Sequence, residues 1–224
     1  MRIVLRIGGS VVASPVNTEL LRKYADIVRK LKKENHEIAV VVGGGSLARE
    51  FISLAKKLEL DVQTQDEIAI SVSRLFAQLF LETLGNLACK KVAVTLKDVT
   101  MFMRDGKIVV MGGLKPGITT DAVAALVAEH VNSRLLVKGT DQEGIYTKDP
   151  RKHSDAVKLD NLSFDDLQSV FSESHHKAGM HQIVDPEAIK ILKRKRVKLV
   201  VVNGFKPKNI LLAVQGKRVG TVVE

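Results

Sequence analysis

The sequence predicts an α/β protein built around a largely parallel sheet, and three observations carry that expectation. Apolar runs of strand length alternate with segments of helical period along the whole chain. Residues 37–42, EIAVVV, form an almost continuous apolar run, the pattern of a strand covered on both faces of a parallel sheet. Three expected strands end in glycine, at Gly8-Gly9-Ser10, Gly43-Gly44-Gly45 and Gly112-Gly113. In such folds ligands gather at the carboxyl ends of the strands.

The elements follow in order. Residues 2–7 read as a buried strand, and residues 18–35 as a helix with Leu20, Leu21, Ala25, Val28 and Leu31 on one face. After the strand at 37–42, helical period resumes over 46–58 and again over 64–88, apolar at Ile68, Val72, Leu75 and Leu79. That second helix is apolar on more than one side, so part of it is expected to face a partner subunit. Residues 91–95 and 107–111 look like strands, 121–130 like a helix, and 134–137 like another strand. The last third predicts helices at 163–171 and 186–195 and a strand at 198–202. A short helix and a terminal strand are expected within 204–223.

Composition excludes several classes. At 224 residues with 45% hydrophobic content the chain can bury a sizeable core. Aromatics make up 4% with no Trp, which argues against stacking platforms for single-stranded nucleic acid. The formal charge of +10 suits an anionic partner. Its basic residues are spread through helical segments such as Lys30-Leu31-Lys32-Lys33, where they complement helix dipoles, so no nucleic-acid partner is expected. A single Cys89 cannot form an intrachain disulfide and fits a reducing cytoplasm. The first apolar run is broken at Gly8-Gly9, too short for a signal or membrane helix, so no membrane partner is expected. His175-His176 with His181 matches no standard zinc spacing.

The stretch 109–129, VVMGGLKPGITTDAVAALVAE, is the most informative. Paired glycines let backbone N–H groups approach an anion, and a helix N-terminus adds unsatisfied donors and partial positive charge. Thr119 or Thr120 supplies a hydroxyl, and Asp121 a carboxylate beside the anion. Turn chemistry uses the same residue types, so a plain connection with Thr or Asp as N-cap is the alternative. Three such corners on one sheet edge favour several phosphates. The common nucleotide motifs are absent: there is no G-x-x-x-x-G-K-S/T, no G-x-G-x-x-G after the first strand, and no protein-kinase set.

Four motifs in order resemble the amino acid kinase family: the strand–GGS opening, VVVGGGSLAR at 40–49, MGGLKPGITTDAVAA at 111–125 and EGIYTKDP at 143–150. Within it their spacing is most similar to the archaeal type of uridylate (UMP) kinases. The resemblance implies one domain over 1–224, a three-layer α/β/α sandwich around a mostly parallel sheet. The acceptor side would lie in about 1–130 and the triphosphate side in about 131–224. It also implies phosphoryl transfer from ATP to UMP with Mg2+, usually in a homohexamer. Gly9, Ser10, Gly45 and Arg49 would meet the triphosphate, and Thr140, Asp141, Tyr146 and Asp149 its base and ribose. Gly44 and Asp66 would hold UMP, whose phosphate would lie in the run Leu114, Lys115, Pro116, Gly117, Ile118, Thr119, Thr120. Asp121, Lys138 and Arg6 are the catalytic candidates, with Asp121 orienting cations or a magnesium-bound water.

The chain departs from the family pattern in places. Arg6 stands where the first strand commonly carries Lys, and Asp141 stands where an amide is usual. Ala69 and Phe76 replace the usual Gly and Asn. These differences leave room for a sister kinase of small molecules or a nucleotide-binding relative without turnover. Val42, where isopentenyl phosphate kinases tend to carry His, argues against that sister.

Overall fold

The computed structural model describes residues 1–167 and 183–224. Nine strands are found among the described residues: β1 Arg2–Ile7, β2 Glu37–Val42, β3 Val109–Met111, β4 Leu135–Thr140, β5 Ile145–Tyr146, β6 Lys158–Leu159, β7 Asn161–Leu162, β8 Lys198–Asn203 and β9 Thr221–Val223. Seven form one sheet in the order β3-β2-β1-β4-β8-β9-β7, and β5 pairs with β6 in a small antiparallel ribbon. From β3 to β8 every pairing is parallel, and only β8 with β9 runs antiparallel. The α-helices with both ends among the described residues are α1 Gly9–Val12, α2 Thr18–Lys33, α3 Gly45–Lys57, α4 Val62–Leu84, α5 Leu96–Arg104, α6 Thr120–His130, α7 Pro186–Lys195 and α8 Lys208–Val214. On one face α6 packs on β1, β2 and β4 with α5 and α7 beside it; α2, α4 and α8 cover the other, and α3 lies on α4. The result is the expected three-layer arrangement.

Residue type explains these elements. β1 and β2 bury nearly every position, as a strand between two helical layers must. Helix starts are set by short polar side chains: Asn17 accepts from the Leu20 N–H and Asp61 from the Thr64 N–H, each at 2.9 Å. Gly85, with φ +59, ends α4 in the left-handed region that glycine tolerates.

The segment 91–95 does not form the expected strand; it contributes one isolated bridge at Ala93 to Met111. The N–H groups of Val94 and Thr95 donate instead to Asp98 Oδ2, at 3.0 and 2.9 Å. A capping box therefore takes the donors a sheet would need and starts α5, a helix the sequence reading omitted. Of the helix expected at 163–171, residues 164–167 are helical and Ser163 precedes them; 168–171 lie outside the described residues, as do His175, His176 and His181.

One span among the described residues, Val62–Leu87, is long and apolar enough to cross a membrane. Here Phe76, Ala77, Phe80 and Leu84 are buried and α4 packs on β2 and β3, so part of its hydropathy serves the core, while Leu75 and Leu79 stay exposed.

Candidate active site

The carboxyl ends of β1, β2 and β3 lie side by side, which brings the three glycine corners to one edge of the sheet. Two of them touch. A Cβ on Gly9 would stand 2.1 Å from the Gly45 nitrogen, and one on Gly45 would meet the Gly9 carbonyl at 2.5 Å. Only glycine permits this backbone-to-backbone approach, which leaves the start of α3 bare of side chains. The third corner packs on α4, where a Cβ on Gly112 would lie 2.7 Å from the Arg74 nitrogen.

Beside the corners sits a buried cluster of charge. Arg6 of β1 and Lys138 of β4 are register partners on adjacent parallel strands. Two cations on neighbouring strands repel, and Asp121, in the first turn of α6, resolves the conflict. Its Oδ1 lies 2.7 Å from Arg6 Nε and its Oδ2 takes the Lys138 ammonium. The Arg6 contact is an ion pair off hydrogen-bond alignment, since neither atom has a hydrogen-bond partner among the described residues. Arg6 Nη2 donates to Thr120 Oγ1 at 2.9 Å, and Lys138 also donates to the Ile183 carbonyl. The side chains are 14% exposed for Arg6, 13% for Asp121 and 7% for Lys138.

Burial works against the Asp121 charge, yet Arg6 and then Lys138 outweigh it and hold the carboxyl below its ordinary value. Burial, reinforced by Arg6, lowers the Lys138 ammonium against the pull of Asp121. The α6 N-cap is Thr119, which accepts from the Ala122 N–H at 3.2 Å. Asp121 is therefore not the cap that one reading of the sequence allowed.

Next to the cluster opens a cavity of about 400 Å³. Gly44, Asp66, Lys115, Gly117, Ile118, Thr119 and Thr120 line it, all expected acceptor residues, together with Ala69 and Ser73. Its size suits a small ligand. Leu114 and Pro116 belong to the same loop but are absent from the lining. Asp66 Oδ2 accepts from the Gly117 N–H at 2.7 Å, so this carboxylate already orders the loop. Phe76 is buried in the core and does not line the cavity, so this departure affects packing first.

Across the cluster, the expected donor-side residues gather around β4 and β5. Asp141 and Asp149 are both reached by Arg151, at 3.4 and 3.2 Å. The unusual charge at Asp141 thus has a counterion. Asp149 is held below the usual carboxylate range mainly by the Arg151 N–H, and its buried Oδ2 has no partner among the described residues. Thr140 is buried at the end of β4, and Tyr146 is half-buried in β5. Glu143 accepts from Lys206 at 2.5 Å and Asn203 at 2.9 Å. Tyr24 donates to the Gly204 carbonyl at 2.9 Å and tops the ends of β4 and β8. Gly9 is buried and Ser10 half-buried in α1, while Arg49 is exposed on α3, outside the ion cluster.

The sequence reading missed Ser73, Arg74, Arg151 and Asp185. Asp185 caps α7 and accepts from Thr119 Oγ1 at 2.5 Å. Polar residues on helical faces or at a helix start carry no periodic signal that would single them out.

A parallel sheet with glycine corners and a buried cation pair at its carboxyl edge defines a phosphate-handling α/β protein. The chain belongs to the amino acid kinase family, whose model matches residues 1–203. It is 42% identical over 226 residues to a uridylate kinase of Methanocaldococcus jannaschii, covering 100% of both chains. To a uridylate kinase of Methanococcus aeolicus it is 40% identical, covering 100% of this chain and 99% of the relative. The crystal structure of uridylate kinase from Archaeoglobus fulgidus superposes with a TM-score of 0.91 at 37% identity over 100% of both chains.

Proposed function

We propose that this chain transfers the terminal phosphoryl group of ATP to UMP, giving UDP and ADP in pyrimidine nucleotide biosynthesis. The observation that carries the reading is the Arg6–Asp121–Lys138 cluster between the touching glycine corners and the cavity. Relatives named uridylate kinase along the full chain support UMP as the acceptor. The acceptor part spans about 1–130 and the triphosphate part about 131–224.

In this reading the acceptor phosphate sits in the loop 114–120 and its nucleoside beside Gly44 and Asp66. The substrate is the Mg2+ complex of ATP. Both Asp121 oxygens face cations, so this carboxylate is already engaged and leaves the metal to the phosphate oxygens of the nucleotide. Mg2+ neutralises charge there. The N-terminus of α3 and the Gly9-Ser10 corner receive the triphosphate oxygens, with Arg49 reaching in from α3. Thr140, Asp141 and Tyr146 flank the base, and Asp149 lies on the ribose side, its Oδ1 held by Arg151.

Transfer needs alignment and positive charge around the migrating group more than covalent chemistry. Arg6 and Lys138 supply that charge in a water-poor site, where it acts more strongly than in solvent. Asp121 aims both cations. It is a poor proton acceptor, because its carboxyl is held ionised and both oxygens are engaged.

We further propose a homo-oligomer in the cytoplasm, a hexamer as the family resemblance implies. The exposed apolar face of α3 and α4, with Leu54, Leu58, Leu75 and Leu79 all exposed, supports association alone. Labelled ATP with Mg2+, offered to UMP, CMP, AMP, isopentenyl phosphate and glutamate, tests the activity. Labelled UDP is the expected product; its absence, with label on another acceptor, refutes the reading.

A further inference from the structure

The geometry points to Arg74 as a positioning residue for the acceptor phosphate, an assignment that rests on the proposed acceptor site. Arg74 lies on α4, one residue past the helix stripe of Asp66, Ala69, Ile70 and Ser73 that lines the cavity, and is itself absent from the lining. Its guanidinium holds two consecutive carbonyls of the acceptor loop: Nε donates to Gly113 and Nη2 to Leu114, each at 3.0 Å.

This grip has a directional consequence. A trans peptide places its N–H opposite its C=O. With the Gly113 and Leu114 carbonyls turned to Arg74, the N–H groups of Leu114 and Lys115 point to the other side of the loop. Gly113 and Lys115 line the cavity there. Among the described residues neither N–H has a hydrogen-bond partner, so both are available to an anion. Two flanking bonds complete the frame: the Gly113 N–H donates to Ser73 Oγ at 2.7 Å, and the Gly117 N–H to Asp66 Oδ2 at 2.7 Å. All three anchors stand on α4, so one rigid helix sets the peptide planes before ligand arrives.

Arg suits the task better than Lys. Its planar fork donates in two fixed directions and serves adjacent carbonyls together, whereas an ammonium is a point donor on a flexible stem. A fixed peptide plane is worth most where several donors must converge on one phosphate, because ordering them costs nothing on binding.

Arg74→Met keeps the apolar stem and removes the fork; Arg74→Lys restores charge without the paired geometry. Steady-state kinetics of both variants, with UMP and ATP varied separately, give the main readout. The KM for UMP is expected to rise about tenfold or more in Arg74→Met, the scale of hydrogen bonds to a charged group. The KM for ATP stays within about twofold, and Arg74→Lys falls between the variant and the wild type. A purely structural role would lower the melting temperature while leaving the KM for UMP as it was. Calorimetry gives a readout independent of turnover: inorganic phosphate and UMP raise the melting temperature of the wild type more than that of Arg74→Met. A wild type that phosphorylates CMP or AMP in place of UMP sinks only the acceptor reading, and the KM comparison then runs on that nucleotide. Equal acceptor KM in wild type and Arg74→Met, or equal stabilisation of the two by inorganic phosphate, overturns the assignment to Arg74.

Discussion

Asp121→Asn is the sharpest perturbation the site offers, because it removes one charge and almost no volume. In the folded protein that charge stands between two cations, Arg6 at 2.7 Å and Lys138, with every partner at most 14% exposed. Thr119 caps α6, so the substitution leaves the helix start intact. A capping view of Asp121 would therefore predict little change in stability, and the cluster predicts the reverse. Removing one partner of a buried pair costs about 3–5 kcal/mol, since the remaining charge is left uncompensated. Lys138, already pushed toward its neutral form by burial, relieves part of this by losing its proton, which places the cost near the lower end. For a chain of this length about 3 kcal/mol corresponds to roughly 6–12 °C in melting temperature. Turnover falls with it, by about ten- to a thousandfold in kcat, the range of a lost electrostatic contact in a transition state. Scanning calorimetry and steady-state kinetics measure the two effects on one preparation, and Asp121→Asn/Lys138→Met closes a double-mutant cycle. Strict additivity in that cycle, or wild-type melting and turnover in Asp121→Asn, would refute the idea that Asp121 holds the cations in place.

Further outcomes are expected at other positions. Because its cations hold the Asp121 carboxyl below 3.8, its contribution to stability is complete above that value. It is lost only as pH falls further through the folded value, so an acid limb in kcat/KM that tracks Asp121 above about pH 4 would contradict the pairing. Gly9→Ala places a Cβ 2.1 Å from the Gly45 nitrogen, where backbone faces backbone and neither can yield. It should destabilise by about 1–3 kcal/mol or more, read by thermal melting, and raise the KM for ATP. Asp66→Ala removes the acceptor of the Gly117 N–H and should raise the KM for UMP about tenfold while leaving that for ATP alone; equal values would reduce Asp66 to a surface carboxylate. Leu79→Arg on the exposed face of α4 should shift light scattering to a smaller species, and a monomeric wild type at micromolar concentration would remove the oligomer proposal.

Much of the fold was legible because it is written in period. The buried runs of β1, β2 and β8 and the faces of α2 and α7 appear in the sequence nearly as they fold. The errors fall where a local polar interaction overrides that pattern. At 91–95 the β-branched Val92, Val94 and Thr95 suggest a strand, but Thr95 with Asp98 forms a helix cap and claims its backbone donors. The capping signature was present, and it outcompeted propensity because a satisfied box removes the N–H groups a sheet requires.

The site was legible to a different degree on each of its sides. Glycine corners announce themselves, since a close backbone approach such as Gly9 to Gly45 admits no other residue. The cation pair is less visible, because Arg6 and Lys138 are separated along the chain and become neighbours only through the β1–β4 register. That register also explains why the carboxylate must come from α6. The strands themselves are filled with apolar side chains, and α6 is the helix that packs across β1, β2 and β4 with its first turn at the glycine edge. Arg74 and Ser73 could not be read in advance, for their partners are backbone atoms of a loop whose path the sequence leaves open. The identity of a residue thus revealed which groups bear charge. Only the topology revealed which groups those charges aim, and at this site the aiming is what a phosphoryl transfer requires.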